Sequence, residues 1–131
     1  MVARCPFGQP AVAEQHAFDD SGEPFPTTFW LTCPHLVAAV SRLEAAGGVE
    51  RWTRAAVEDP RLAASLERAH ADQRELRPEF DLGVGGARAG AGSLKCLHAH
   101  VAFALARPGY ELGERIVAEL EPAWPPVCCA P

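Results

Sequence analysis

The stretch GVGGARAGAGSLKCLHAHVAFAL, Gly83–Leu105, carries the densest run of reactive side chains in the chain, and its reading decides the rest. Five of the eleven glycines fall between Gly83 and Gly92. Glycine tolerates backbone angles that other residues avoid and lets a ligand approach the main chain. Ser93 is a good N-cap, so the pattern predicts a helix over Leu94–Ala106. At about 100° per residue, Leu94, Leu97, Val101 and Leu105 form one stripe with His98 beside it, and Cys96, His100 and Phe103 cluster opposite. Cys96 and His100 stand four residues apart, a register in which two side chains converge on one atom. A Cys and a neutral His so placed can ligate zinc, or the His can take the proton of the thiol. A helix start also favours an anion. Ser93 and Lys95, the only lysine beside eleven arginines, are therefore the expected anion-binding residues. The run lacks the Gly-Lys-Ser/Thr order of a P-loop, which excludes a nucleotide-triphosphatase reading. As a catalytic set it offers Cys96, His98 and Lys95.

Working outward, Val12–Gln15 and Thr27–Thr32 read as two short strands able to pair as a hairpin, with Asp19–Gly22 as a turn. Helices are expected at Pro34–Ala46, Val49–Glu58, Pro60–Arg77 and Leu112–Leu120 besides the central one. Gly47-Gly48 ends the first. Asp59-Pro60 ends the second and starts the third, with Asp59 as cap and Pro60 in the first turn. The charges of the third helix read as a solvated face, and His70, at the border of its apolar face, as structural. The fold class is α+β, predominantly helical, with about five helices packed on a small N-terminal two-stranded element. A single domain spans 1–131: an irregular and β lead-in over 1–33, a helical core over 34–121 and an irregular tail over 122–131.

Cys33-Pro34 repeats the feature of the central stretch, a cysteine at a helix start. If the two starts face each other, Cys33, Cys96 and His100 make a three-ligand metal set. Cys5, His98 or His35 would close it, and an open fourth place would make it catalytic. Zinc is the expected ion. Without a metal, the same residues are a bare thiol site or buried core groups.

The chain has 131 residues and a net charge of −5, with no basic run, which argues against nucleic-acid binding. No stretch approaches the roughly 20 apolar residues of a membrane span, and MVARCPFGQP has no signal core; the expected location is the cytoplasm. Five cysteines are an odd number, and a reducing compartment favours metal or thiol chemistry over a disulfide framework. Adjacent Cys128 and Cys129 have no evident partner and read as part of a loose tail.

Cys5-Pro6-Phe7-Gly8, the run PFPTTFWLTCP over Pro24–Pro34, Ser41-Arg42-Leu43-Glu44 and KCLHAH over Lys95–His100 together resemble the bacterial family known as domain of unknown function 501 (DUF501). The resemblance implies reactive residues at Cys5, Cys33, Cys96, His98 and His100, and no established activity. Its members often lie near genes for a septum-forming cell-division protein and an exopolyphosphatase. That implies phosphate chemistry or a role linked to cell division. The expected function is a metal- or thiol-dependent hydrolase or transferase acting on a small anionic, phosphate-type substrate. The alternative is a non-catalytic protein-binding domain with a structural metal or buried Cys and His.

Overall fold

The computed structural model describes residues 3–88, 93–120 and 124–127. Residues 89–92 of the Gly-rich loop, and Cys128 and Cys129, lie outside that set. The elements run β1 (Ala3–Arg4), β2 (Pro10–Glu14), β3 (Phe29–Leu31), α1 (Pro34–Ala45), α2 (Gly48–Glu58), α3 (Pro60–Leu76), a single 3-10 turn (Val84–Gly86), α4 (Leu97–Ala106) and α5 (Glu111–Glu119). The five expected helices are present and the class is α+β, mainly helical.

The sheet has three strands, one more than expected, in the order β1-β2-β3, with both pairings antiparallel. The lead-in read as irregular turns back on itself through Cys5–Gln9. The Cys5 amide donates to the Gln9 carbonyl at 2.8 Å and Gly8 to Cys5 at 3.0 Å, which sets Ala3 opposite Val12. Val12 then pairs with Leu31 and Glu14 with Phe29. One face of this small sheet is buried through Val12 and Phe29, which the register puts on the same side, as a marginal sheet requires.

Local chemistry accounts for the helix starts in the first half. Asp59 caps α3 through Oδ1, which accepts the Arg61 N–H at 2.9 Å, with Pro60 in the first turn. Cys33 is the N-cap of α1 ahead of Pro34. On α3, Gln73 is 2 % exposed on the buried face it shares with Leu62, Ser65 and Ala69; its amide donates to Thr28 Oγ1 at 2.6 Å and to the Pro26 carbonyl at 3.2 Å. A buried amide left without such partners would cost its full desolvation penalty.

Helix α4 is the axis of the core. Leu97, His100, Val101, Ala102, Phe103 and Ala104 are all buried, so it is apolar nearly all round rather than amphipathic. It lies against β3 on one side and α5 on another. The α4–α5 crossing is close because Gly113 has no side chain: a Cβ there would sit 2.7 Å from Ala104 Cβ and 2.9 Å from the His100 carbonyl. Phe103 meets Phe29 edge-on at 5.6 Å and Tyr110 at 5.8 Å between ring centroids, which ties sheet, α4 and the α5 start together.

Candidate metal centre

The central helix starts three residues later than its sequence predicts. Its N-cap is Cys96 and not Ser93, in extended backbone at φ −145° and ψ 121°. Ser93 instead accepts the Lys95 N–H at 3.1 Å through its own Oγ. Lys95 stands at φ 65°, a left-handed conformation that a side chain disfavours, and the Cys96 N–H closes a tight turn on the Leu94 carbonyl at 2.8 Å. Helical geometry therefore does not reach back to Cys96, and its register with His100 fails.

His100 points into the core instead, at 0 % exposure. Its Nε2 lies 3.1 Å from the same Leu94 carbonyl and its Nδ1 2.7 Å from the Tyr110 hydroxyl. A carbonyl only accepts, so Nε2 carries the proton and Nδ1 accepts from the tyrosine. Burial lowers the His100 pKa to about 4, which keeps the ring neutral, and raises that of Tyr110. Both ring nitrogens are used, so His100 braces the turn that presents Cys96 and has no lone pair left for a metal.

The first free N–H of α4 is satisfied from another helix. Glu44, near the end of α1, accepts the Leu97 N–H through Oε2 at 2.7 Å. Its other oxygen, Oε1, lies 3.3 Å from His98 Nδ1, and Cys96 Sγ lies 3.7 Å from that same nitrogen. The far side of the His98 ring is held by α1, with Nε2 3.3 Å from both the Val37 carbonyl and Ser41 Oγ. Donation to Val37 leaves Nδ1 as a lone pair facing Glu44 and Cys96.

Glu44, Cys96 and His98 thus bring three ligand atoms within 4.8 Å of one another, the one such group among the described residues. Zinc bonds of about 2.0–2.1 Å to N or O and 2.3 Å to S, at tetrahedral angles, put neighbouring ligand atoms about 3.4–3.6 Å apart. The observed 3.3 Å and 3.7 Å bracket that spacing. The carbonyl on Nε2 and the amide on the second carboxylate oxygen supply the orienting outer contacts that metal ligands ordinarily have.

Of the expected ligand set of Cys33, Cys96, His100 and Cys5, Cys96 alone belongs to the convergent group. Cys33 and Cys5 are buried thiols, and Cys5 Sγ accepts the Phe7 N–H at 3.4 Å. The three described cysteines form no disulfide. Glu44 carried no metal-site signal in the sequence, since it lies 52 positions before Cys96 on a different helix. A helix start would lower the pKa of a thiol there, but that of Cys96 moves the other way. Burial raises its pKa and the Glu44 carboxylate adds to that, outweighing the pull of the Ala99 and His98 backbone. A bare thiolate is therefore disfavoured here; a cation beside the sulfur would restore it.

Cys96 and His98 also line a cavity of about 100 Å³, walled by Phe29, Trp30, Leu31 and Ala99. Lys95 reaches from its turn to the Gly86 carbonyl at 3.4 Å, next to Gly85 on the wall of the same cavity. His70, expected to be structural, accepts the Val84 N–H at 3.0 Å, and burial lowers its pKa. Gly83 permits that contact, since a Cβ there would lie 2.3 Å from His70 Nδ1.

Fold and site define a small, mainly helical α+β protein with a cluster of thiol, imidazole and carboxylate where two helices meet. The chain belongs to the DUF501 family, described as a protein of unknown function, whose model matches residues 1–81. That span holds Cys5, Cys33 and Glu44 and ends before Cys96 and His98. No curated protein matches the chain. No solved structure matches it either. Among the described residues no helix is long and apolar enough to cross a membrane.

Proposed function

We propose that the protein binds one zinc-class divalent ion through Glu44, Cys96 and His98 and uses it in hydrolysis or group transfer on a small substrate. The observation that carries this reading is the convergence of a thiol, an imidazole nitrogen and a carboxylate oxygen within 4.8 Å of one another, with His98 Nδ1 left as a lone pair once Nε2–H is given to Val37. A zinc-class cation among them would displace the thiol proton and be held by sulfur, imidazole and carboxylate together.

Three protein ligands leave the fourth tetrahedral position open, the pattern of catalytic zinc rather than of closed structural sites. The cavity beside Cys96 and His98 gives that position room for water or a substrate group. The ion would supply a Lewis acid for a carbonyl or phosphoryl oxygen. Phe29, Trp30 and Leu31 would exclude bulk water and hold a small apolar group. Lys95, exposed at the end of its strained turn, is the residue to meet an anionic substrate, with Ser93 shaping that turn.

The test is a panel of small activated acyl and phosphate esters, assayed with zinc-loaded protein, chelator-treated protein and Cys96→Ala. Turnover by the loaded parent alone supports the proposal. A second reading has its own observation: Glu44 and Val37 on α1 grip the start of α4, so an ion there would also clamp two helices together. No turnover, with a melting temperature that falls by many degrees on metal removal, selects this structural-metal reading in place of the enzyme.

A further inference from the structure

A larger cavity than the one beside Cys96 and His98 lies elsewhere. It is a groove of about 440 Å³ between α3 and the turn that joins α4 to α5, within the size range of small-molecule sites. Its floor is apolar, with Phe103 and Tyr110 almost fully buried beneath it. Three charged side chains line it: Arg68 and Asp72 from α3, and Arg107 from the end of α4. None of the three makes an ion pair or a side-chain hydrogen bond with a described residue. Arg61, Arg74 and Arg115, by contrast, are all paired with carboxylates. Asp72 is half-buried, where an unpartnered carboxylate is less comfortable than at an open surface.

We infer that this groove binds a small ligand with two carboxylates and one ammonium, an acidic amino acid or a dipeptide that begins with one. Two guanidiniums on different elements each present a fork that matches one carboxylate. Arg68 and Asp72 are four residues apart on α3, so the ammonium partner stands beside one carboxylate partner. The groove carries two positive charges and one negative, and a dicarboxylate amine carries the complement. A plain dianion such as phosphate would leave Asp72 facing negative charge. A neutral apolar ligand would leave all three side chains unused. The groove is separate from the Glu44–Cys96–His98 cluster and shares no lining residue with the cavity there.

The experiment is calorimetric titration of the full chain at low salt with L-glutamate, with glutarate, which lacks the ammonium, and with the dipeptide Glu-Ala. Saturable one-site binding of glutamate or Glu-Ala, tighter than glutarate, is expected, and the better of the two identifies a free amino acid or a dipeptide. Arg68→Gln and Arg107→Gln should each weaken binding by about tenfold or more. Both side chains are exposed, so their melting temperatures should match the parent. Asp72→Asn should bring glutamate down to the level of glutarate. Absence of saturable binding by all three probes overturns the inference. So does equal affinity for glutarate and glutamate in the parent, or unchanged affinity in the double arginine variant.

Discussion

Glu44 holds the amide of Leu97 at 2.7 Å with one carboxylate oxygen and presents the other to His98 at 3.3 Å. One side chain thereby caps α4 from α1 and completes the acceptor cluster. The two duties separate by substitution. Glu44→Gln keeps an oxygen for the Leu97 N–H but loses the charge; Glu44→Ala loses both. In chelator-treated protein Glu44→Ala should lower unfolding stability by about 1–2 kcal/mol and Glu44→Gln by less than half of that. Both should weaken zinc binding. Denaturant unfolding and zinc titration of the two variants check this, and equal stability of the alanine variant and the parent would contradict the capping role.

Much of the fold was legible because its signals are local. Asp59-Pro60, Cys33-Pro34 and the spacing of Leu62, Leu66 and Ala69 act within a turn or two, and those helices stand where the sequence predicts them. The start of α4 was not legible, because a backbone angle and contacts from outside its own first turn set it. Lys95 takes a left-handed angle, His100, itself held by Tyr110, donates to the Leu94 carbonyl, and Glu44 supplies the cap. Ser93 looked like a cap because it does bond a backbone amide two residues on, but in a turn rather than a helix. The site followed the same division. Cys96 and His98 were visible as reactive neighbours, while Glu44 and the diversion of His100 into the core are tertiary.

Zinc binding should release protons. Burial holds the Cys96 thiol above its ordinary value, so at neutral pH it is protonated and must lose that proton to ligate. Affinity should therefore rise with pH, by about tenfold per unit for one proton, throughout the range below the raised thiol pKa. Calorimetry in buffers of different ionisation enthalpy counts the protons. Binding with no proton release near pH 7 would exclude Cys96 as a ligand.

His100 ties stability to acid. Its folded pKa of about 4 lies below the ordinary value of 6.5, so between those limits the unfolded chain binds the extra proton. Its contribution is complete above pH 6.5 and is lost as pH falls toward 4, amounting to about 3 kcal/mol. His100→Gln cannot titrate, so its stability deficit against the parent should shrink by that order between pH 7 and pH 4. Urea unfolding across the range measures it. A deficit constant with pH would mean that the ring is not buried as a neutral base.

The turn at Lys95 stores strain next to the cluster. Glycine adopts φ 65° without a Cβ penalty, and the Lys95 ammonium is exposed, so little is lost with its contact to Gly86. Lys95→Gly should raise stability by up to about 1 kcal/mol while weakening any anion held at the site. A variant less stable than the parent would show that the side chain itself stabilises the turn.

The most direct measurement is the metal content of freshly purified protein, read for the parent beside Cys96→Ala, His98→Ala, Cys33→Ala and His100→Gln. We expect about one zinc-class ion per chain in the parent, lost in the Cys96 and His98 variants and retained in folded Cys33 and His100 variants. A parent without metal, or metal kept in His98→Ala and lost in Cys33→Ala, would contradict the Glu44–Cys96–His98 centre.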